Sequence, residues 1–448
     1  MNKDLYIYNS LTSQKELFKE TSANEVSIYV CGPTVYSSSH MGHGRSAIVF
    51  DTIVRFLKFI GFKTNYVRNF TDIDDKIINR GIEEGVRPED IAEKYKTEYI
   101  EDMESLGCLQ PDFQPSVSEN IPEIISLIED IIKKGFAYEK NGDVYFNVQK
   151  FNGYGKLSKQ SIDSILVNTR LEINPNKNFG LDFALWKTAK ENEPYWSSPW
   201  GKGRPGWHIE CSAMSRKYLG ENFDIHGGGR DLIFPHHENE IAQSECVSEK
   251  KFANYWMHNG LININKEKMS KSIGNIINIR EGLKLWNKNI IRTLFLTHHY
   301  RTPVDFSSKK LEEIEKTLLN TKKRVPTNES LSTKFKELWV SAMLDDFNTA
   351  KAFGYYFKFI NDGSLSPETD SEVSEFEETM GISGWRDENI QSKKDTIVDE
   401  VRIKQIIFER DRARKDKNWI KADELRYEAE ELGVKLLDKE GKTTWEPC

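Results

Sequence analysis

The sequence predicts an α/β protein: a Rossmann-like parallel sheet with an inserted domain, followed by a helical bundle and a small C-terminal domain. Three observations predict it. Short apolar runs closed by turn residues alternate with helical periodicity between Val26 and Phe70. That alternation stops after Pro111 and returns at Gly206, as an insertion would cause. From Ser308 onward the spacing of apolar residues is mostly helical. At 448 residues the chain exceeds what one hydrophobic core supports, so three or four folding units are expected.

The elements follow in order. Val26 to Val30 (Val-Ser-Ile-Tyr-Val) reads as a buried strand stopped by Cys31-Gly32-Pro33. Arg45 to Ile60 places Ile48, Ile53, Val54, Leu57 and Ile60 at helical spacing, and Gly61 closes it. Asn65 to Phe70 is a second strand, and strand, loop, helix, strand is the opening of a parallel nucleotide-binding sheet. Ile121 to Lys134 predicts a helix leading to a hairpin around Asn141-Gly142. Beyond Ser308, Leu311, Ile314, Leu318 and Leu319 share a helix face, and Gly363 to Ser374 reads as a mobile loop or a helix connection. Val401 to Lys417 is a basic helix. Asn418 can cap the next helix, which carries Trp419, Ala422, Leu425, Ala429 and Leu432 on one side and stops at Gly433. Val434 to Asp438 and Lys442 to Trp445 suggest a small hairpin. The expected divisions are 1–113 with 194–262 for the sheet domain, 114–193 for the insertion, 263–307 for a lysine-loop region, 308–398 for the bundle and 399–448 for the last domain.

Composition bounds the function. With 38% hydrophobic and 30% charged residues and no apolar run near membrane length, a cytoplasmic globular protein without membrane contact is expected. The net charge of −7 speaks against an unselective nucleic-acid coat, yet leaves room for a local basic surface. Five scattered cysteines, an odd number, argue against a disulfide framework. All nine histidines lie between His40 and His299, so imidazole chemistry is confined to the first two-thirds.

Three constellations carry chemistry. His40-Met41-Gly42-His43-Gly44 falls between the first strand and the first helix, where unpaired backbone N–H groups suit phosphate and two imidazoles can donate to it. Lys268-Met269-Ser270-Lys271-Ser272 offers two flexible ammonium groups that can follow phosphates as pyrophosphate departs. His236 and Glu240, four apart after Pro235, can grip one ion, and Cys31 with Cys211 can complete a set that suits Zn²⁺. His237 with Glu240 is a rival pair.

The first two motifs together resemble those of class I aminoacyl-tRNA synthetases, with Met41 where isoleucine is usual. The resemblance extends to the cysteine-specific family, the cysteinyl-tRNA synthetases. It is carried by Tyr29 to Tyr36, Asn69 to Lys76, Gly206 to Met214, Asp224 to Gly229 and Phe234 to Ala242, and it is weakest between Pro326 and Lys394. Ser37-Ser38-Ser39 replaces the more usual Asp-x-Cys before His40. The resemblance implies activation of L-cysteine by ATP with Mg²⁺, giving cysteinyl-adenylate and pyrophosphate, then transfer to the 3' end of tRNA-Cys. It further implies catalysis by His40, His43, Lys268 and Lys271, with ATP bound by His40, Gly42, His43, Lys271 and Asp231. Thr71, Trp207 and His226 would shape the cysteine pocket, and Cys31, Cys211, His236 and Glu240 would hold one Zn²⁺ per subunit. The last domain would bind the anticodon through Arg410, Arg414 and Trp445. A monomer is expected, since no long apolar face lacks a partner. Three rivals fit less well. A ligase joining cysteine to a small amine should lack the tail, a zinc hydrolase should carry His-Glu-x-x-His, and a catalytically dead RNA-binding paralogue should have lost His40, His43, Lys268 or Lys271.

Overall fold

The computed structural model describes residues 4–168, 174–191, 193–264, 267–269, 276–322, 335–361, 367–386, 400–439 and 442–447. Strands Ala253–Asn259, Phe223–Gly229, Glu25–Val30 and Lys63–Arg68 lie side by side in that order, all parallel. The sheet is covered on both faces, which is why its strands read as continuous apolar runs. Val26, Ile28 and Val30 pack into one core with the helix Met41–Phe59, while Tyr29 and Val67 turn to a second core with Ile209 and Ile241. All four strands therefore deliver their carboxyl ends to one edge, the usual place for a ligand in such sheets.

Between the halves of this sheet stands a five-stranded antiparallel sheet: Ala137–Lys140, Asp143–Phe146, Phe183–Thr188, Gly201–Pro205 and Trp196–Ser198. Its first turn holds Asn141 at φ 57° and Gly142 at φ 83°, the left-handed pair that a two-residue hairpin requires. This sheet runs through Pro205, past the boundary at 193 expected from the sequence, because Trp186 pairs with Pro205 and Thr188 with Gly203. Gly201-Lys202-Gly203-Arg204-Pro205 has no apolar alternation, so only the backbone pairing reveals it as a strand.

Helices Lys288–Leu296, Ser308–Lys322, Phe335–Leu344, Thr349–Asn361 and Pro367–Met380 follow. The Ser/Pro/Glu-rich stretch is helical from Pro367, and Val373, Phe376 and Met380 of that helix are buried. Helices Glu400–Lys415 and Trp419–Glu431 and the hairpin Val434–Lys439/Lys442–Pro447 share a separate small core of Ile403, Ile406, Leu425, Ala429, Val434 and Leu436. Among the described residues no helix is long and apolar enough to cross a membrane.

One buried ion pair ties the bundle to the sheet domain. Arg292 Nη2 lies 2.5 Å from Asp51 Oδ2 on the helix Met41–Phe59, and both side chains are enclosed. The same guanidinium donates to the carbonyls of Met380 (2.9 and 3.1 Å) and Leu106 (3.3 Å). Removing Arg292 would leave the buried Asp51 carboxylate with Arg55, whose Nε lies 3.0 and 3.1 Å from it, and would leave the Met380 carbonyl without this donor. Arg292→Met is expected to cost about 1.5–3 kcal/mol, less than a fully unpaired charge would because Arg55 remains, read as a lower midpoint of denaturant unfolding.

A candidate metal and nucleotide site

Cys31 ends the central strand and Cys211 lies in the helix Trp207–Leu219, yet their sulfurs are 3.7 Å apart. Glu240, in the helix Glu238–Ser248, places Oε1 3.4 Å from Cys31 Sγ and 3.2 Å from His236 Nε2. The four ligand atoms lie within 4.8 Å of one another. A tetrahedral zinc ion with Zn–S of about 2.3 Å and Zn–N/O of about 2.0–2.1 Å separates two sulfurs by roughly 3.8 Å and nitrogen from oxygen by roughly 3.3 Å. The quartet has those spacings.

A second grouping, Cys31, His226, His237 and Glu240, also converges. It fits an ion less well. His226 Nε2 stands 2.8 Å from Glu240 Oε2, a hydrogen-bond distance too short for two ligands of one tetrahedral ion. His237 Nε2 is 4.0 Å from Glu240 Oε1. His237 Nε2 also lies 3.4 Å from Cys31 Sγ, but His236 Nε2 alone stands at the tetrahedral spacing from Glu240 Oε1, 3.2 Å against 4.0 Å.

Burial, then the Cys211 sulfur and the Glu240 carboxylate, pushes the Cys31 thiol well above its ordinary range. Two thiols and a carboxylate in one enclosed place can ionise together only beside a cation. Behind them stand imidazoles that the sequence reading did not single out. His236 Nδ1 is 2.9 Å from His208 Nδ1, and His237 Nδ1 is 2.9 Å from His258 Nε2, whose other nitrogen meets Ser10 Oγ at 2.8 Å. Burial draws His236 and His237 well below the usual histidine range, and His208 and His258 down to about 3. Neutral rings are the form that binds a metal, and a partner on the second nitrogen sets which tautomer is present. No local pattern marks His258, which a strand brings in.

The remaining pocket residues divide. Trp207 is 40% exposed and stacks on His236 with ring centroids 4.4 Å apart. Thr71 is buried, and its hydroxyl donates to Glu210 Oε2 at 2.9 Å. Glu210 is fully enclosed, and burial raises its carboxyl well above the usual carboxylate range. His226, expected to touch substrate, is instead fully buried between Glu240 and the stacked ring of Trp256. Its reach is to the carboxylate. Asp231 is exposed in the turn Arg230–Leu232.

His40 caps the helix Met41–Phe59. The Gly42 N–H donates to His40 Nδ1 at 3.1 Å, and the His40 N–H donates to His43 Nδ1 at 3.3 Å. The rings stack at 3.8 Å. With both Nδ1 atoms accepting, the proton of each neutral ring sits on Nε2, which is then a donor. A Cβ at Gly42 would lie 2.9 Å from the His40 ring and 3.3 Å from Met269 Cε, so glycine lets the two motifs meet. The backbone of Lys268 pairs with Asn263, whereas Ser270, Lys271 and Ser272 lie outside the described residues.

In the last domain Arg410 is 5% exposed and makes a two-pronged bond to Asp438 at 2.8 and 2.9 Å. That guanidinium is spent on the fold. Arg414 reaches the same carboxylate at 2.8 Å but stays half exposed, and Trp445 packs against the small core. The exposed aromatic residues are Trp419 (59%) and Tyr427 (70%), with Ile420 beside Trp419.

A family profile described as tRNA synthetases class I (C) catalytic domain matches residues 17–316. The cysteine–tRNA ligase of Thermodesulfovibrio yellowstonii is 46% identical, over 98% of this chain and 99% of its own. That of Fusobacterium nucleatum is 47% identical, over 98% and 99%. Among solved structures, Mycobacterium tuberculosis methionyl-tRNA synthetase in complex with methionyl-adenylate shares the fold at a TM-score of 0.57 and 13% identity, covering 85% of this chain and 90% of that one.

The buried imidazoles predict a pH dependence. The folded state holds His258 near 3, against about 6.5 when unfolded, so between those values the unfolded chain binds more protons. Stability is greatest above about pH 6.5 and falls as pH drops towards about 3. His258→Gln should remove roughly 1.4 kcal/mol per pH unit from that slope between about pH 5.5 and 3.5, measured by denaturant unfolding of metal-free protein.

Proposed function

The chain belongs to the cysteine–tRNA ligases among the class I tRNA synthetases, and we propose that its residues divide the work between a metal-held amino-acid site and two imidazoles at a helix start. Cys31, Cys211, His236 and Glu240 hold zinc. When bound, that ion supplies a soft Lewis acid that takes a thiolate far better than a hydroxyl. An apolar pocket alone would separate cysteine from serine by only about 1–3 kcal/mol. The observation that carries this reading is the quartet itself, whose spacing suits zinc at the carboxyl edge of the parallel sheet.

Trp207, stacked on His236 and open on its other side, bounds the amino-acid pocket. Thr71 keeps its hydroxyl on Glu210, which sets the polar wall opposite. The cysteine carboxylate attacks the α-phosphorus of ATP, which enters with Mg²⁺. A carboxylate–phosphorus bond forms and the bond to pyrophosphate breaks. Nε2–H groups of His40 and His43 donate to the phosphate oxygens as charge builds there, and Lys268 and Lys271 follow the leaving pyrophosphate. Gly42 and Asp231 border the nucleotide. The terminal ribose hydroxyl of tRNA-Cys then attacks the cysteinyl carbonyl, forming an ester as the acyl–phosphate bond breaks and AMP leaves. We propose that the chain works as a monomer in the cytoplasm.

For the tRNA, Arg414 and the exposed ring of Trp419 offer a cation and a stacking face, while Arg410 and Trp445 brace the domain.

Zinc content, exchange kinetics, KM for tRNA and thermal melting test these assignments. Cys211→Ser and His236→Asn should take zinc from about one ion per chain towards none and lower cysteine-dependent ATP–pyrophosphate exchange by about 100-fold or more. His237→Asn should keep the ion, and equal zinc loss in both histidine variants would overturn the choice of His236. Trp419→Ala should raise KM for tRNA about 10-fold and leave exchange unchanged. Trp445→Ala should chiefly lower the melting temperature of the last domain.

A further inference from the structure

Arg45 lies two residues beyond His43 on the helix Met41–Phe59 and is completely enclosed. It meets carbonyls, not carboxylates. Nη1 donates to Gly260 O at 2.8 Å and Leu261 O at 2.7 Å, and Nη2 donates to Tyr300 O at 3.2 Å and to Thr302 O. These acceptors come from two stretches of chain. One runs directly into the strand Ile262–Ile264, whose Asn263 pairs with Lys268. The other leads into the strand Val304–Asp305, which pairs with the far side of Ile262–Ile264. The two stretches already touch, since a Cβ at Gly260 would lie 2.5 Å from Thr302 O. Arg45 closes the joint between them and the motif helix.

The same helix is stitched to the chain that follows the lysine motif. The Met41 N–H donates to Ile277 O at 2.9 Å, the Ile279 N–H donates to Ser39 O at 3.0 Å, and His40 bridges Asn278. The strand carrying Lys268 is thus tied to the imidazole helix from one side by Arg45, and the exit of that segment is tied to it by the Ser39–Met41 backbone. Only a guanidinium can serve all four carbonyls, because its donors fan out in a plane. Lysine can serve some of them and methionine none.

We infer that Arg45 is a positioning residue for adenylate formation: it sets the height of the strand bearing Lys268 against the helix bearing His40 and His43. This deepens the reading in which those three residues handle the triphosphate, and it rests on that reading. Burial lowers the guanidinium to about 10, so it remains charged at neutral pH.

The two half-reactions separate a positioning role from a merely structural one, because transfer of preformed cysteinyl-adenylate to tRNA involves no triphosphate. In the zinc-loaded full chain, Arg45→Met should lower kcat of ATP–pyrophosphate exchange by about 10- to 100-fold. KM for cysteine, zinc content and single-turnover transfer from preformed adenylate should stay within about 2-fold, and Arg45→Lys should recover part of the loss. The inference is overturned if exchange kcat in Arg45→Lys and Arg45→Met stays within about 2-fold of the parent, or if both half-reactions fall equally. If Arg45→Met does not fold, the comparison of half-reactions in Arg45→Lys decides alone. Absence of exchange in the parent protein would refute the functional reading instead, so the two failures are distinct.

Discussion

Two sulfurs 3.7 Å apart and a carboxylate oxygen 3.4 Å from the first of them, with Cys211 and Glu240 buried and Cys31 half-buried, form the constraint around which the site is built. Such a group cannot be fully ionised without a cation, and as a neutral cluster it wastes buried polar atoms. Its three contributors come from chain positions 31, 211 and 240, so the parallel sheet must bring a strand end and two helix starts to one edge. The buried imidazoles continue the same logic. Each is held neutral by its surroundings, and each offers one nitrogen inward while the other is engaged behind.

His40 and His43, by contrast, are only half-buried. Stacked against each other, His40 and His43 use their Nδ1 atoms to satisfy helix-start N–H groups, which leaves their protons on Nε2. The cap thus does two things at once. It completes the hydrogen bonding of the first turn and orients the donors without requiring either ring to be charged. Gly42 admits Met269 against this cap, and Arg45 ties the supporting strands to the same helix. Met269 of the lysine motif and His40 of the histidine motif, more than 200 residues apart in the sequence, are therefore held against the same helix.

The C-terminal domain behaves differently. Its core is small, and Asp438 is held ionised far below the carboxylate range by Arg410, with Thr443 and Arg414 beside it. An internal ion pair in so small a unit consumes a basic residue that composition alone would assign to RNA. Among the described residues, the exposed aromatic side chains of this domain are Trp419 and Tyr427, and Arg414 is half exposed.

Local pattern was sufficient for much of this protein. Apolar runs, helical spacing and turn residues located the first strands, the motif helix, the Asn141-Gly142 hairpin and the terminal helices, because those depend on neighbours in sequence. The motifs around His40 and Lys268, and the segments around Cys31, Cys211 and His236, were legible for the same reason, and with them the family. Tertiary structure alone decided the rest. That His236 stands 3.2 Å from Glu240 Oε1 while His237 stands 4.0 Å from it is set by the fold, and no spacing along the chain encodes it. The strand Gly201–Pro205 exists through its pairing with Phe183–Thr188, not through its own residues. Arg410 looks free until Asp438 folds back on it, and His258 looks ordinary until a strand carries it against His237. Periodicity reports which side of an element is buried, but ligation, ion pairing and exposure depend on distances between atoms far apart in the chain, and only the folded chain sets those.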